Sequence, residues 1–136
     1  MAALQCLIVT PEKTLLDQQA EFVALPLYDG EIGIAPDHTP MIGRLGAGEL
    51  RIRTPERTSR FYVENGFVEV LNNVVTVLTS RAMPSEELDA DVAAEQLEAA
   101  QRRPAHCAEE FALRDRLTAQ YRAQARTARR AGPAPS

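Results

Sequence analysis

The sequence predicts an α+β fold, in which an N-terminal antiparallel β-sandwich is followed by a C-terminal antiparallel α-helical hairpin. Up to about Met83, apolar residues alternate with a period of two in short runs that turn-forming residues separate. After Pro84 glycine is absent as far as Ala131, and Ala, Glu, Gln and Arg dominate. We therefore expect two domains, a sandwich over residues 1–84 and a helical hairpin with a frayed tail over residues 85–136.

Six segments have the β-branched or aromatic composition and the short length of strands. They are residues 4–9, 22–25, 50–53, 61–63, 67–71 and 74–78. Asp29-Gly30 and Asn72-Asn73 lie between apolar segments, and both pairs tolerate the positive φ angles of tight hairpins. Many short strands at close spacing are typical of a sandwich or barrel. Because aromatic residues make up only 5% of the chain, the core should be mostly aliphatic.

Two helices are expected in the second half. The first is capped by Ser85 or Asp89 and stops at Pro104, and the second runs from Ala105 or Cys107 to about Arg130. Gly132-Pro133 should end the second helix. Each helix has an apolar stripe at helical spacing. The stripes are Ala90, Ala93, Ala94, Leu97 and Ala100 in the first helix and Leu113, Leu117, Tyr121, Ala125 and Ala128 in the second.

The short connection predicts that these helices lie antiparallel, with an acidic helix beside a basic one. Residues 81–103 carry six acids against three arginines, and residues 104–136 carry three acids against six arginines. An alanine seam buries little apolar area, since each CH₂ contributes roughly 0.8 kcal/mol. We expect the hairpin to be held by a modest free energy and to be able to move; a fixed hairpin is the alternative.

Bulk properties exclude several classes of protein. The net charge of −4 does not indicate nucleic-acid binding. No apolar run reaches the roughly 18 residues of a membrane span, and the N-terminus has no signal-peptide pattern. Cys6 and Cys107 are far apart without metal-ligand spacing, so we expect two reduced thiols, no metal and no cofactor.

Residues 30–42 read GEIGIAPDHTPMI and resemble the pattern G-E-x-G-x-x-P-G-H-A-P-L-L of the epsilon subunit of F-type ATP synthases. Four weaker matches follow the family order. They are residues 8–12 (IVTPE), 48–52 (GELRI), 66–70 (GFVEV) and 73–78 (NVVTVL). Three positions depart from the pattern: Asp37 and Asn65 stand where the family has Gly, and Ala47 where it has Pro. Asp and Asn tolerate left-handed backbone, so the fold is unaffected.

The resemblance implies a non-catalytic central-stalk subunit of a proton-translocating ATP synthase, peripheral to the cytoplasmic face of a bacterial inner membrane. It implies that the sandwich binds the gamma subunit and the polar loops of the membrane rotor ring of c subunits, coupling ring rotation to ATP synthesis. The hairpin would reach the alpha/beta catalytic head and inhibit ATP hydrolysis. Contact with the membrane would be only through the complex, and nucleic acid is not a partner.

By resemblance, Glu31, Asp37 and His38 contact the rotor ring, and Pro40, Met41 and Ile42 contact gamma. Glu31 could pair with a basic ring residue or be a solvated turn acid, and an exposed pair is worth only about 0–1 kcal/mol. His38 could face the ring or order its own loop through a backbone hydrogen bond.

Residues Leu88, Asp89 and Ala93 partly match the I/L-D-x-x-R-A motif with which some bacterial members bind ATP. Val92 replaces the motif's Arg, and Asp91 adds a repulsive charge. We expect weak or absent ATP binding, with Asp89 serving as a helix cap.

Arg122, Arg126, Arg129 and Arg130 share one face of the second helix. This basic stripe either engages acidic surface on the catalytic head or is a solvated face that the helix dipole favours.

The main alternative is a free-standing β-sandwich interaction module whose helical arm binds another partner. A small hydrolase using His38 is disfavoured, because His38 and His106 lie in different halves and no nucleophile elbow or phosphate loop occurs.

Overall fold

The structure is a computed structural model that describes residues 3–131. The chain divides into two compact units, Met1–Pro84 and Ser85–Ser136. Over residues 3–131, the elements of the first unit are β-strands and those of the second are helices. The predicted fold class is confirmed.

The first unit contains eight strands, two more than the sequence predicts. They are β1 (Leu4–Val9), β2 (Thr14–Ala20), β3 (Phe22–Leu27), β4 (Gly30–Ile34), β5 (Met41–Arg44), β6 (Gly48–Arg53), β7 (Thr58–Leu71) and β8 (Val74–Pro84). The hydrogen-bonded order is β2-β1-β8-β7-β6-β3-β4, and β5 pairs separately with β7. All pairs are antiparallel except β1 with β8, which is parallel.

Strand β7 joins the two layers of the sandwich. One of its edges pairs with β8, while the other edge pairs with β6 through its first half and with β5 through its second half. The strand kinks between these halves, where Asn65 and Gly66 have φ angles of 58° and 131°. Val63 faces the core before the kink and Val68 after it, so the kink changes which alternate residues point inward. The core between the layers is aliphatic, as predicted.

The predicted strand segments need several corrections. Strand β3 runs two residues beyond its predicted end, and β6 begins two residues before its predicted start. Strands β2, β4 and β5 are absent from the prediction, because β2 contains the polar run Asp-Gln-Gln and the other two contain glycine, which strands disfavour. The segments predicted at 61–63 and 67–71 are one strand, since the kink does not interrupt the pairing with β8. Strand β8 also runs six residues beyond its predicted end.

Both predicted hairpin turns are confirmed. Asp29-Gly30 lies at the β3–β4 turn, where Gly30 has a φ of 142°. Asn72 and Asn73 form the β7–β8 turn with φ angles of 51° and 65°, the left-handed values of a type I′ turn.

The second unit begins with a 3-10 turn at Ser85–Glu87 and continues with α1 (Ala90–Gln101) and α2 (Ala108–Ala131). Asp89 rather than Ser85 caps α1. The helices pack on each other within this unit, in the predicted hairpin. Ala93, Ala100, Ala125 and Ala128 of the predicted stripes are buried, whereas Ala94 is exposed and was assigned to the stripe wrongly. The predicted stop at Gly132-Pro133 lies outside the described residues.

Candidate functional site

The loop between β4 and β5 carries Asp37 and His38 and is tied to the β7–β8 turn. The backbone N–H of Asp37 donates to Oδ1 of Asn73 at 2.6 Å, and Nδ2 of Asn73 donates to Oδ1 of Asp37 at 3.3 Å. Asp37 has a φ of 66°, which its short polar side chain tolerates. The ring nitrogen Nδ1 of His38 lies 2.7 Å from the carbonyl oxygen of Thr39. A donor at Nδ1 leaves Nε2 as the acceptor of the neutral ring.

Glu31 lies apart from that loop, at the other end of β4. It is the second residue of the strand, and β4 spans about 13 Å at a rise of roughly 3.3 Å per residue. Its Oε1 accepts from Nη2 of Arg51 at 2.6 Å. The structure therefore brings Asp37 and His38 together, whereas Glu31 is exposed at a separate position with a cation already beside it.

Arg51 links Glu31 to a buried carboxylate. Its Nη1 lies 3.4 Å from Oε1 of Glu49, and Nη1 of Arg60 lies 2.8 Å from the same oxygen. The side chain of Glu49 is only 1% exposed, and its Oε2 has no hydrogen-bond partner among the described residues. Burial lowers the pKa of Arg51, but the hydrogen bond and charge of Glu31, followed by those of Glu49, outweigh it and raise the pKa. The guanidinium therefore stays charged.

The outward side of β5, β7 and β8 carries four large exposed apolar side chains, with the polar residues Arg44, Glu69 and Thr76 between them. Ile42 is 75% exposed, Phe67 56%, Leu78 50% and Leu71 44%. Phe67 and Leu78 are directly opposite each other in the ladder, and all four point away from the core by the alternation of their strands. We call these four residues the apolar face. An outward sheet side normally carries polar residues, and several large apolar side chains exposed on one such side mark a surface that binds a partner.

Three residues of the apolar face were missed by sequence reasoning. Only Ile42 was among the predicted contacts, while Phe67, Leu71 and Leu78 were assigned to strands without a role. The sequence feature that could have identified them is a strand with apolar residues on both of its faces. Phe67-Val68 and Val77-Leu78 are such adjacent pairs, in which one member is buried and the other exposed.

The predicted neighbours of Ile42 have different environments. Pro40 is exposed in the loop. Met41 is partly buried against the core and is paired with Val70 in the ladder. Of the three residues predicted to contact gamma, Pro40 and Ile42 are therefore accessible, and Met41 mainly supports the strand.

Asp89 acts as the N-cap of α1. Its Oδ1 accepts from the backbone N–H groups of Asp91 at 2.9 Å and Val92 at 3.1 Å. Leu88 precedes this cap and is half-buried, and Ala93 is buried. With the Asp89 oxygen engaged at the helix start and Val92 exposed, this segment offers no cation to a phosphate among the described residues.

Arg122, Arg126 and Arg129 are exposed along α2. None of the three has an ion pair within residues 3–131. Arg130 belongs to the helix, but its side chain lies outside the description. The three described arginines therefore present an uncompensated basic stripe.

Neither a membrane-spanning helix nor a cluster of metal ligands is found in residues 3–131. None of the helices is long and apolar enough to cross a membrane. Within the same residues, His, Cys, Asp and Glu form no group of three or more that could hold a metal ion.

Comparison with protein-family models gives one match. Residues 3–85 match the model described as the beta-sandwich domain of the ATP synthase delta/epsilon chain. The match covers all eight strands described above.

Comparison with individual proteins agrees. The chain is 43% identical over 127 residues to the ATP synthase epsilon chain of Rhodopirellula baltica, covering 93% of this chain and 99% of that one. It is 41% identical over 96 residues to the ATP synthase epsilon chain of Desulfitobacterium hafniense strain Y51, covering 71% and 73%.

Two solved structures share the fold. A chain of the Euglena gracilis mitochondrial ATP synthase superposes with a TM-score of 0.82 at 19% identity, over 90% of this chain and 79% of that one. A chain of the Tetrahymena thermophila mitochondrial ATP synthase central stalk and c-ring gives 0.73 at 16% identity, over 92% and 96%.

Proposed function

This chain belongs to the ATP synthase delta/epsilon family, and from that membership we propose that it is the epsilon-type subunit of the central stalk of a proton-translocating F-type ATP synthase. In this role it has no catalytic site of its own. It couples rotation of the membrane ring to ATP synthesis, and it is attached to the cytoplasmic face of a bacterial inner membrane only through the complex.

Family membership carries the proposal as a whole, and the apolar face carries the assignment of the contact with gamma. Four exposed aliphatic and aromatic side chains on one side of a sheet are costly in water and are stabilised when a partner covers them, at roughly 25 cal/mol per Å² of apolar area. We assign this surface to the gamma subunit. Phe67 and Leu78, which are opposite each other in the ladder, form its centre. Ile42, the most exposed of the four, lies at its edge on β5, and Pro40 extends that edge.

We assign the contact with the rotor ring to the polar loop of Asp37 and His38, and a second contact with the ring to Glu31. The carboxylate of Glu31 already accepts from Arg51 at 2.6 Å, so a basic ring residue must compete with an internal partner. Exposed pairs contribute at most about 1 kcal/mol. The Glu31 contact therefore sets the register of the subunit on the ring more than its affinity.

The gamma assignment is tested by binding of gamma to the full chain. Replacing Ile42 or Phe67 by Glu places a charge in the apolar face and should weaken gamma binding more than tenfold, because an unpaired charge resists burial. Both side chains are exposed, so the fold should tolerate the change. Val92→Glu is the matched control, since Val92 is an exposed apolar residue of the helical unit. Equal gamma binding by all three variants would refute the assignment.

The basic stripe of α2 supports an inhibitory role at the alpha/beta catalytic head. Three exposed arginines without ion pairs in residues 3–131 can dock on acidic surface. The double variant Arg122→Gln, Arg126→Gln should raise ATP hydrolysis by the assembled complex, whereas Arg116→Gln, an exposed change on the same helix, should not. Unchanged hydrolysis in the double variant would remove the inhibitory role.

A pull-down from native membranes separates this function from that of a free-standing interaction module. Recovery of gamma, the catalytic head and the ring with the chain is the expected result. Recovery of an unrelated protein in their place would contradict the proposal.

A further inference from the structure

Asn73 is bonded to two other parts of the sandwich. Its side chain accepts from the backbone N–H of Asp37 and donates to the Asp37 carboxylate, at 2.6 and 3.3 Å. Its carbonyl oxygen accepts from the backbone N–H of Gln5 at 2.8 Å. One residue of the β7–β8 turn thus holds the β4–β5 loop and the start of β1. We call the paired hydrogen bonds between Asn73 and Asp37 the clasp.

The clasp needs an unusual backbone at both of its members. Asp37 and Asn73 have φ angles of 66° and 65°, which side-chain-bearing residues adopt at a cost. In this left-handed conformation the backbone N–H of Asp37 points at Oδ1 of Asn73. No other hydrogen bond between that loop and the rest of the described chain involves a side chain. The conformation of the loop therefore depends on Asn73.

The clasp also joins two surfaces with different assigned partners. His38 and Ile42 are four residues apart, so their Cα atoms are within about 14 Å. Asn73 lies in the turn that connects β7 and β8, the two strands that carry Phe67, Leu71 and Leu78. Fixing the loop to this turn holds the polar loop and the apolar face in one rigid arrangement.

We propose that Asn73 is a positioning residue, which holds the Asp37–His38 loop against the sheet so that the rotor-ring contact and the gamma contact move as one body. This inference rests on the proposed function and adds to it the residue that connects its two surfaces. A subunit that transmits torque loses work when its contacts shift relative to each other, so preorganisation of the loop favours tight coupling.

The structural part is tested by amide hydrogen exchange in the full chain. Asn73→Gly removes the side chain while keeping the φ of 65°, which glycine adopts freely. The amide hydrogens of residues 37–39 should exchange about fivefold to tenfold faster, because the loss of one hydrogen bond changes an equilibrium by about that factor. Asn72→Gly is the matched control, because Asn72 has a φ of 51° in the same turn and lies outside the clasp. Equal protection of the loop in both variants would overturn the proposal.

A charge swap gives a rescue test. Asn73→Asp keeps an acceptor for the Asp37 N–H but removes the Nδ2 donor and sets two carboxylates against each other, so the loop should loosen. Adding Asp37→Asn restores the donor from the opposite side, and protection should return to the parent level. Failure of the double variant to recover protection would contradict the paired geometry.

The functional part is measured in the reconstituted complex. Asn73→Gly should lower ATP-driven proton pumping severalfold while gamma binding and ATP hydrolysis remain at the parent level. A loosened loop with unchanged pumping would refute the positioning role and leave the proposed function intact. Failure of the parent chain to bind gamma would refute the proposed function itself, whatever the loop does.

Discussion

Nη1 of Arg60 lies 2.8 Å from Oε1 of Glu49, whose side chain is only 1% exposed. Glu49 on β6 and Arg60 on β7 are diagonal neighbours, because Arg60 is directly opposite Arg51 in the ladder. Nη1 of Arg51 approaches the same oxygen at 3.4 Å. A buried carboxylate is tolerated only with donors around it, so the sandwich depends on this arrangement.

Loss of Arg60 should therefore destabilise the chain. Arg60→Met leaves Glu49 with only the longer contact to Arg51. We expect the free energy of unfolding to fall by about 2 kcal/mol, a typical contribution of a hydrogen bond to a charged group. Urea unfolding at neutral pH measures it. Arg57→Met, in the exposed turn that precedes β7, should cost less than about 0.5 kcal/mol. Adding Glu49→Gln to Arg60→Met should recover part of the loss; a further loss in this double variant would contradict the explanation.

Gly66 should not accept a side chain. A Cβ there would lie 1.9 Å from the carbonyl oxygen of Leu78, and the φ of 131° is also unfavourable for other residues. We expect Gly66→Ala to cost more than about 3 kcal/mol or to prevent folding, because the kink and the β7–β8 ladder cannot both persist. Gly30→Ala isolates the backbone effect, since its φ is 142° and no atom lies within 4 Å of its Cβ. Similar unfolding midpoints for the two variants would show that the close approach is unimportant.

The two cysteines should differ in reactivity. Burial raises the pKa of the Cys6 thiol from 9.0 to about 12, whereas Cys107 is exposed. At pH 8 a thiol-reactive disulfide reagent should modify one thiol per folded chain and two in denaturant, because only the thiolate reacts. Rapid modification of two thiols in the folded chain would contradict the burial of Cys6.

The same thiol should make stability depend on alkaline pH. Since its pKa is higher in the folded chain, Cys6 contributes stability that is fully present below about pH 9 and is lost as the pH rises towards 12. The loss approaches about 1.4 kcal/mol per pH unit within that window. Cys6→Ala should flatten the decline, while Cys107→Ala should follow the parent; identical pH profiles for both variants would exclude the effect.

Asp89 should be needed for the start of α1. Asp89→Ala removes the acceptor for two backbone N–H groups and should lower the free energy of unfolding of the helices by about 1 kcal/mol. Asp89→Asn keeps an acceptor and should be nearly neutral. Circular dichroism at 222 nm follows both. ATP at millimolar concentration should leave the melting temperature unchanged in the parent chain, and a marked increase would show that this segment binds nucleotide.

The sequence predicted the features that local chemistry determines. The bounds of β1, the Asn72-Asn73 turn and the N-cap at Asp89 follow from residue type and spacing over a few positions. Strands β4 and β5 could not be found in this way, because their stability comes from pairing with β3 and β7 and overrides the weak propensity of glycine.

The candidate site was predicted less completely for a related reason. The Arg60–Glu49 pair joins residues 11 positions apart, and the clasp joins residues 36 positions apart. Only the register of the folded sheet brings these residues together. His38 is a mixed case. The sequence left open a ring contact and a loop-ordering hydrogen bond; the structure shows the hydrogen bond, and the ring contact stays a prediction.

The single parallel pair, between β1 and β8, has a consequence for how the chain folds. One edge of β1 pairs with the nearby β2, but Gln5 on the other edge is paired with Val74, so that edge is filled only after almost the whole first unit has been synthesised. Contacts this distant in sequence slow folding, because the intervening chain must be ordered before they form. Until β8 leaves the ribosome, β1 has an unpaired edge. We expect chains truncated before Val74 to aggregate, and the hydrogen bonds between β1 and β8 to be among the last to gain protection during refolding.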